Sequence, residues 1–447
     1  MKHLINLPIV SFLLLQACTS STAPAVSVGI AGLDELAIAT LRERSYGSLL
    51  QVEKEIQARP HRTAIASYDS DGLRLYVRVD LPSSDAPIRG YPAVVFVHGW
   101  MGIEAAPSMN FYIDDDSIYD RMIDAYVDAG FVVLTPGWRG HGTVDGIAAD
   151  GIEFMQAWDN SSYLSPVFYA VDVLNLLDSL DTLEEAELDL ENINMVSHSQ
   201  GGDVALIALA VAGEGSSVRN EWSAASFWAG CFASRDTQFR TYSPMEKTPE
   251  AFLSGDGSWN GTAVGINGEV NPNFVFGYPP DWIGTPHPEE WTWQKDAWST
   301  ATVQQLMELR LQTMYGAINS HVTEISDAKY ELRSEPDGSF TIVHDRRVSR
   351  ALAGIDAFDM EEFLTERIAL QHSDRDFYSF PEWNADLCKR INAAGGECHD
   401  FEYAENTHSL GVSEHSWFSS DKAVAGFPLA IQRDITLFNG DDPGDLQ

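Results

Sequence analysis

Basic residues are scarce. The chain has 447 residues, with 28 Lys and Arg against 66 Asp and Glu and a formal net charge of −38. A field of that sign repels phosphate backbones and anionic lipid surfaces, which argues against nucleic acid as a partner and suits solvation in a salty medium. Cysteine is scarce as well: there are four, with no CxxC spacing beside the histidines to suggest zinc. The first long apolar run, 4–15, follows Lys2 and contains Pro8. At about a dozen residues it is too short for a stable spanning helix and reads as an export signal, so residues 1–17 are expected to be cleaved. Asp114, Asp115 and Asp116 precede a helical pattern, where acidic residues meet the positive end of the helix, so they are not read as a calcium site. No metal or other cofactor is expected.

What is present in quantity is apolar and aromatic: 44% hydrophobic residues, with 21 Phe, 12 Trp and 15 Tyr, enough for a large core. β-rich runs at 73–80, 93–97, 131–134, 193–197, 224–229, 367–371 and 399–403 alternate with helical patterns at 117–129, 166–180, 201–211, 381–394 and 422–438. Such alternation is the signature of an α/β fold, a doubly wound, mostly parallel sheet covered on both faces. Between two successive strands, residues 237–360 form a connection too long for a plain loop, which is expected to be an inserted cap domain. The body of the fold is then 29–236 and 361–447.

Several motifs sit at strand ends. Ser197-His198-Ser199-Gln200-Gly201 joins a strand to a helix and resembles the nucleophile elbow of the α/β-hydrolase superfamily, with Ser197 where the motif has its first Gly. His98-Gly99-Trp100 ends an apolar strand where that superfamily places its first oxyanion donor. The resemblance implies that the backbone N–H groups of Trp100 and Gln200 hold the oxyanion. Arg139 and His141, in Pro136-Gly137-Trp138-Arg139-Gly140-His141-Gly142, resemble the family's loop after the next strand and are expected to be scaffolding. His372-Ser373-Asp374-Arg375-Asp376 resembles the run carrying the acid in prolyl-oligopeptidase-like and dienelactone-hydrolase-like serine hydrolases, which implies Asp376, with Asp374 as the rival. His408 follows the last strand as the implied base, with His415 as the alternative. The order Ser199, Asp376, His408 is the superfamily's order.

Leu15-Gln16-Ala17-Cys18 resembles the lipobox of bacterial lipoproteins, with Gln16 a departure from the usual residue. It implies lipidation at Cys18, a Ser-, Thr-, Ala- and Pro-rich tether over 18–28, and a membrane contact through the lipid anchor in the bacterial cell envelope. The alternative is an ordinary signal and a secreted protein. In an oxidising compartment Cys388 and Cys398 could close a small loop, leaving Cys231 as a buried thiol. Trp282, Trp291 and Trp293 of the insertion are either core or a hydrophobic wall over Ser199. The expected function is a serine hydrolase of carboxylic esters. A serine peptidase of the prolyl-oligopeptidase type and a non-catalytic binding lipoprotein remain open. The partner is a small-molecule ester or a short peptide.

Overall fold

The computed structural model describes residues 28–56, 61–103, 105–113, 117–158, 164–239, 264–265, 291–292, 300–336, 339–364, 366–373, 376, 379–404, 408, 410–412 and 421–446. The expected signal peptide, Cys18 and all of the tether but Val28 lie outside these residues, as do Asp114–Asp116, Asp374, His415, Trp282 and Trp293. Trp291 falls in a two-residue strand whose side chains are likewise outside the description.

One nine-stranded sheet organises the chain. Its strands are β1 (Gln51–Ile56), β2 (Arg62–Ser70), β3 (Leu73–Leu81), β4 (Tyr91–Val97), β5 (Val132–Pro136), β6 (Leu188–His198), β7 (Ala224–Trp228), β8 (Arg367–Ser373) and β9 (Glu397–Tyr403). They lie in the order β1-β2-β3-β5-β4-β6-β7-β8-β9. The β1-β2, β2-β3 and β3-β5 pairs are antiparallel, and every pair from β5-β4 onward is parallel. The parallel strands read as they do because both of their faces are covered: β4 is Tyr-Pro-Ala-Val-Val-Phe-Val, with its last five residues buried. On one face lie α2 (Ser165–Leu177) and α3 (Gln200–Val211), and on the other α1 (Asp120–Asp128) and α7 (Asp421–Phe438).

The reading that β3 is the first strand is corrected by the structure, which places β1 and β2 before it. Their sequences explain the omission. Gln-Val-Glu-Lys-Glu-Ile is a polar edge strand, and Arg-Thr-Ala-Ile-Ala-Ser-Tyr-Asp-Ser lacks a clean alternation although most of it is buried.

The chain between β7 and β8 contains α4 (Thr300–His321), a hairpin of Tyr330–Ser334 with Phe340–His344, and α5 (Arg346–Ile355). This part is tied to the start of the described chain. The Ile30 N–H donates to the His321 carbonyl at 2.8 Å, the Thr323 N–H donates to the Ile30 carbonyl at 2.9 Å, and the ring of His321 packs against Trp158. At its roots, Arg235 makes a two-pronged ion pair with Asp203 of α3, at 2.5 and 2.6 Å, while its backbone N–H donates to Asp356. One residue, through its buried guanidinium and its backbone N–H, therefore joins both ends of the long connection to the helix that begins after Ser199. Downstream, α6 (Pro381–Ala394) is joined to β9 by the Cys388–Cys398 disulfide, and the Cys231 thiol is buried.

Candidate active site

Ser199 stands between β6 and α3 with φ 57° and ψ −127°, a positive φ that a residue with a Cβ adopts only at a cost. The turn is enforced on both sides. Its N–H donates to the Trp228 carbonyl of β7 at 3.0 Å, and its carbonyl accepts from the Gly202 N–H at 2.9 Å. Gly201 is required by space, because a Cβ there would come within 2.2 Å of the Val97 carbonyl oxygen and 2.3 Å of that of His98. Ser197, the departure from the usual motif, is fully buried between Val97 of β4 and Phe227 of β7, where its small side chain is accommodated.

The structure brings Ser199, His408 and Asp376 together. Ser199 Oγ lies 2.8 Å from His408 Nε2, and His408 Nδ1 lies 2.8 Å from Asp376 Oδ2. A carboxylate only accepts, so Nδ1 carries the proton toward Asp376, and Nε2 is left to accept from the serine hydroxyl. Asp376 is buried, and its Oδ1 accepts from the Ser379 N–H at 2.9 Å, which fixes the carboxylate plane.

Gly99 passes close to the nucleophile: a Cβ added to it would lie 3.3 Å from the Ser199 Cβ. The next residue, Trp100, is exposed. Gln200 opens α3, where backbone N–H groups lack intrahelical acceptors. Beneath this turn sits a neutral aromatic cluster in which His98 stacks on Trp138 at 4.0 Å and Trp138 stacks on Tyr169 at 4.6 Å. Burial pushes His98 down to about 3 and His141 down to about 4. Their Nδ1–H groups donate to the carbonyls of Gly99 and Arg139. Arg139 is buried against Asp172, with hydrogen bonds to it from the side chain at 2.7 Å and from the backbone N–H at 2.9 Å, in line with a scaffolding part.

Two residues that sequence reasoning passed over also touch the site. Tyr119 Oη lies 2.7 Å from His198 Nδ1, and His198 Nε2 lies 2.9 Å from the His408 carbonyl oxygen. His198 reads as filler inside the elbow motif, and Tyr119 reads as one more packing aromatic at a helix start. Among the described residues no group of three or more His, Cys, Asp or Glu is arranged to hold a metal ion.

The sequence profile of the alpha/beta hydrolase family matches residues 94–325. The chain belongs to that family. The matched stretch of this alpha/beta hydrolase contains the Gly99 turn and Ser199 and ends before Asp376 and His408. Similar solved structures include dipeptidyl peptidase 4 of Porphyromonas gingivalis, at 12% identity and a TM-score of 0.46, over 86% of this chain and 36% of that one. The hydrolase chain thus spans about a third of that peptidase's length. Acetyl xylan esterase 1 of Thermoanaerobacterium sp. JW/SL YS485 is similar at 13% identity and a TM-score of 0.44, over 86% of this chain and 91% of that one. The acylaminoacyl peptidase of Pyrococcus horikoshii is similar at 12% identity and 0.42, over 89% and 50%. No curated protein matches the sequence.

Proposed function

We propose that this alpha/beta hydrolase is a serine hydrolase that cleaves carboxylic esters through an acyl-enzyme. The observation that carries the reading is the pair of hydrogen bonds, each 2.8 Å long, that join Ser199 Oγ to His408 Nε2 and His408 Nδ1 to Asp376 Oδ2. His408 takes the hydroxyl proton as Ser199 Oγ attacks the ester carbonyl, and Asp376 orients and supports the resulting imidazolium. The backbone N–H groups of Trp100 and Gln200 hold the oxyanion of the tetrahedral intermediate. His408 then gives the proton to the departing alkoxide, leaving the acyl group on Ser199. Water, deprotonated by His408, attacks the acyl-enzyme; as the carboxylic acid departs, the bond to Ser199 Oγ breaks and His408 returns the proton to that oxygen. The exposed indole of Trp100, next in the chain to Gly99, offers an apolar surface for an acyl or aryl group.

Selection among esters belongs, in this proposal, to the insertion at 237–360, with Trp282, Trp291 and Trp293 as its apolar contacts. One methylene of fit is worth only about 1–3 kcal/mol of discrimination, so a graded chain-length profile is expected. Export and anchoring through a lipid on Cys18 complete the proposal. Each buried methylene contributes about 0.8 kcal/mol, so release of the mature chain from membranes by Cys18→Ser tests this part.

The test of the activity is to compare specificity constants on a series of aryl esters with those on aminoacyl anilides. Preference for the esters is expected. Efficient anilide cleavage would favour the peptidase, and failure to turn over either class would favour a binding role.

A further inference from the structure

The residue just before the nucleophile holds the base from behind. His198 is the last residue of β6, and only 1% of its surface is exposed. Its Nε2 lies 2.9 Å from the main-chain carbonyl oxygen of His408. A carbonyl can only accept, so the proton of a neutral His198 sits on Nε2 and its Nδ1 presents a lone pair. Tyr119 Oη lies 2.7 Å from that Nδ1 and therefore donates to it. The same phenol oxygen accepts from the Gly99 N–H at 3.2 Å. Each bond in this series has one allowed direction, running from Gly99 N–H through Tyr119 and His198 to the backbone of His408. Burial pushes His198 down to about 3, which keeps the ring neutral and the direction unchanged at neutral pH. The phenol is itself locked by rings packed nearly edge-on, Phe96 at 4.9 Å and Tyr112 at 4.7 Å.

We propose that His198 is a positioning residue: it fixes the backbone of His408 so that the imidazole faces Ser199, and through Tyr119 it ties that base to the Gly99 turn. The inference rests on the serine-hydrolase reading given above. Its physical basis is that the two halves of the site come from distant parts of the chain. The oxyanion turn follows β4 and the base follows β9, and these strands are separated in the sheet by β6, β7 and β8. Sheet pairing sets their spacing only coarsely, whereas a misplacement of about 1 Å at a reacting group can cost about 10²-fold in rate. The His198–Tyr119 pair sets that spacing directly.

Three variants test this on an aryl ester. His198→Leu keeps an apolar side chain of moderate size but removes both nitrogens, and kcat should fall about 10²-fold while KM stays near its native value. Fluorophosphonate labelling of Ser199 should slow in the same proportion. His198→Gln, whose amide can present an N–H toward the His408 carbonyl, should recover most of the loss. Tyr119→Phe removes one hydroxyl, should lower kcat by a smaller factor, and should add little on top of His198→Leu because the two act in one series. An unchanged kcat in Tyr119→Phe, or in folded His198→Leu, would overturn the inference, as would a Gln variant no better than Leu. The Tyr119→Phe arm decides the matter if His198→Leu does not fold. Ser199→Ala, run alongside, separates the two readings. If it retains turnover, the serine-hydrolase reading falls. If it is inactive while the His198 and Tyr119 variants are unaffected, only the positioning role falls.

Discussion

Ser199 is held in a conformation that its neighbours must over-determine, and Gly201 shows how little room the turn has. A Cβ at 201 would collide with the carbonyls of Val97 and His98, which belong to a strand end and cannot retreat as a flexible side chain could. Gly201→Ala should therefore abolish ester turnover and lower stability by about 1–3 kcal/mol or more, read as a shifted denaturant midpoint. Asp376→Asn should leave the fold intact and lower kcat by about 10⁴-fold, because an amide can donate to His408 Nδ1 and stabilise the wrong tautomer. If Asp374→Asn gave the larger loss, the acid would be assigned to the wrong residue. Ser199, Asp376 and His408, which the structure brings together, could be singled out in the sequence because each stands just after a strand that the residue pattern reveals. His198 and Tyr119 could not, since their part depends on a carbonyl 210 positions away and a ring stack that no local pattern encodes.

At the scale of elements, the long connection between β7 and β8 is anchored by one buried cation. Arg235 spans Asp203 of α3 and Asp356 beyond α5. Arg235→Met should leave the Asp203 carboxylate buried and unpaired, lowering stability by about 3–5 kcal/mol in chemical denaturation, the usual consequence of removing one partner of a buried pair. A change under about 1 kcal/mol, the worth of a surface pair, would contradict the buried pairing. The disulfide between Cys388 of α6 and Cys398 of β9 closes a short loop, and reducing it should cost about 2–3 kcal/mol, chiefly through the unfolded chain. The central parallel strands were legible as continuous apolar runs. The helix Thr300–His321 buries Met307, Leu311, Met314, Tyr315 and Ile318 at helical spacing, but it was hidden because Arg310 is buried in the same stripe and the apolar Leu309 lies only half-buried beside it, which blurs the pattern.

For the whole molecule, buried carboxyls and buried histidines act on the pH dependence of stability in opposite directions. Burial pushes Asp356 and Asp434 up to about 6, in Asp434 against hydrogen bonds from Ser226, Tyr126, Trp228 and Gln371. In the unfolded chain these carboxyls titrate near 3.8, so the stability that they contribute is complete below that pH. It is lost as the pH rises to about 6, because the unfolded chain releases its protons first. Ionisation of the remaining acidic surface toward the net charge of −38 adds self-repulsion over the same range. The buried His98, His141 and His198 act the other way, because below about pH 6.5 the unfolded chain binds protons that the buried rings, pushed down to about 3, 4 and 3, do not. Three such groups outweigh the two carboxyls, so Tm should rise from about pH 4.5 to about pH 6.5, and added salt should raise it further at the upper end by screening. A Tm that falls across this window, or that salt leaves unmoved, would contradict the account. The sheet that sets these burials was readable in its parallel half. The antiparallel edge was not, because β1 has a polar sequence and pairs with only one neighbour.

The measurement that bears most directly on the central claim is intact-mass analysis after treatment with a fluorophosphonate, followed by peptide mapping. The geometry around Ser199, His408 and Asp376 predicts a single adduct on Ser199 in the native chain and none in Ser199→Ala, with ester turnover lost in step. An adduct on another residue, or a folded Ser199→Ala protein that still hydrolyses esters, would contradict it.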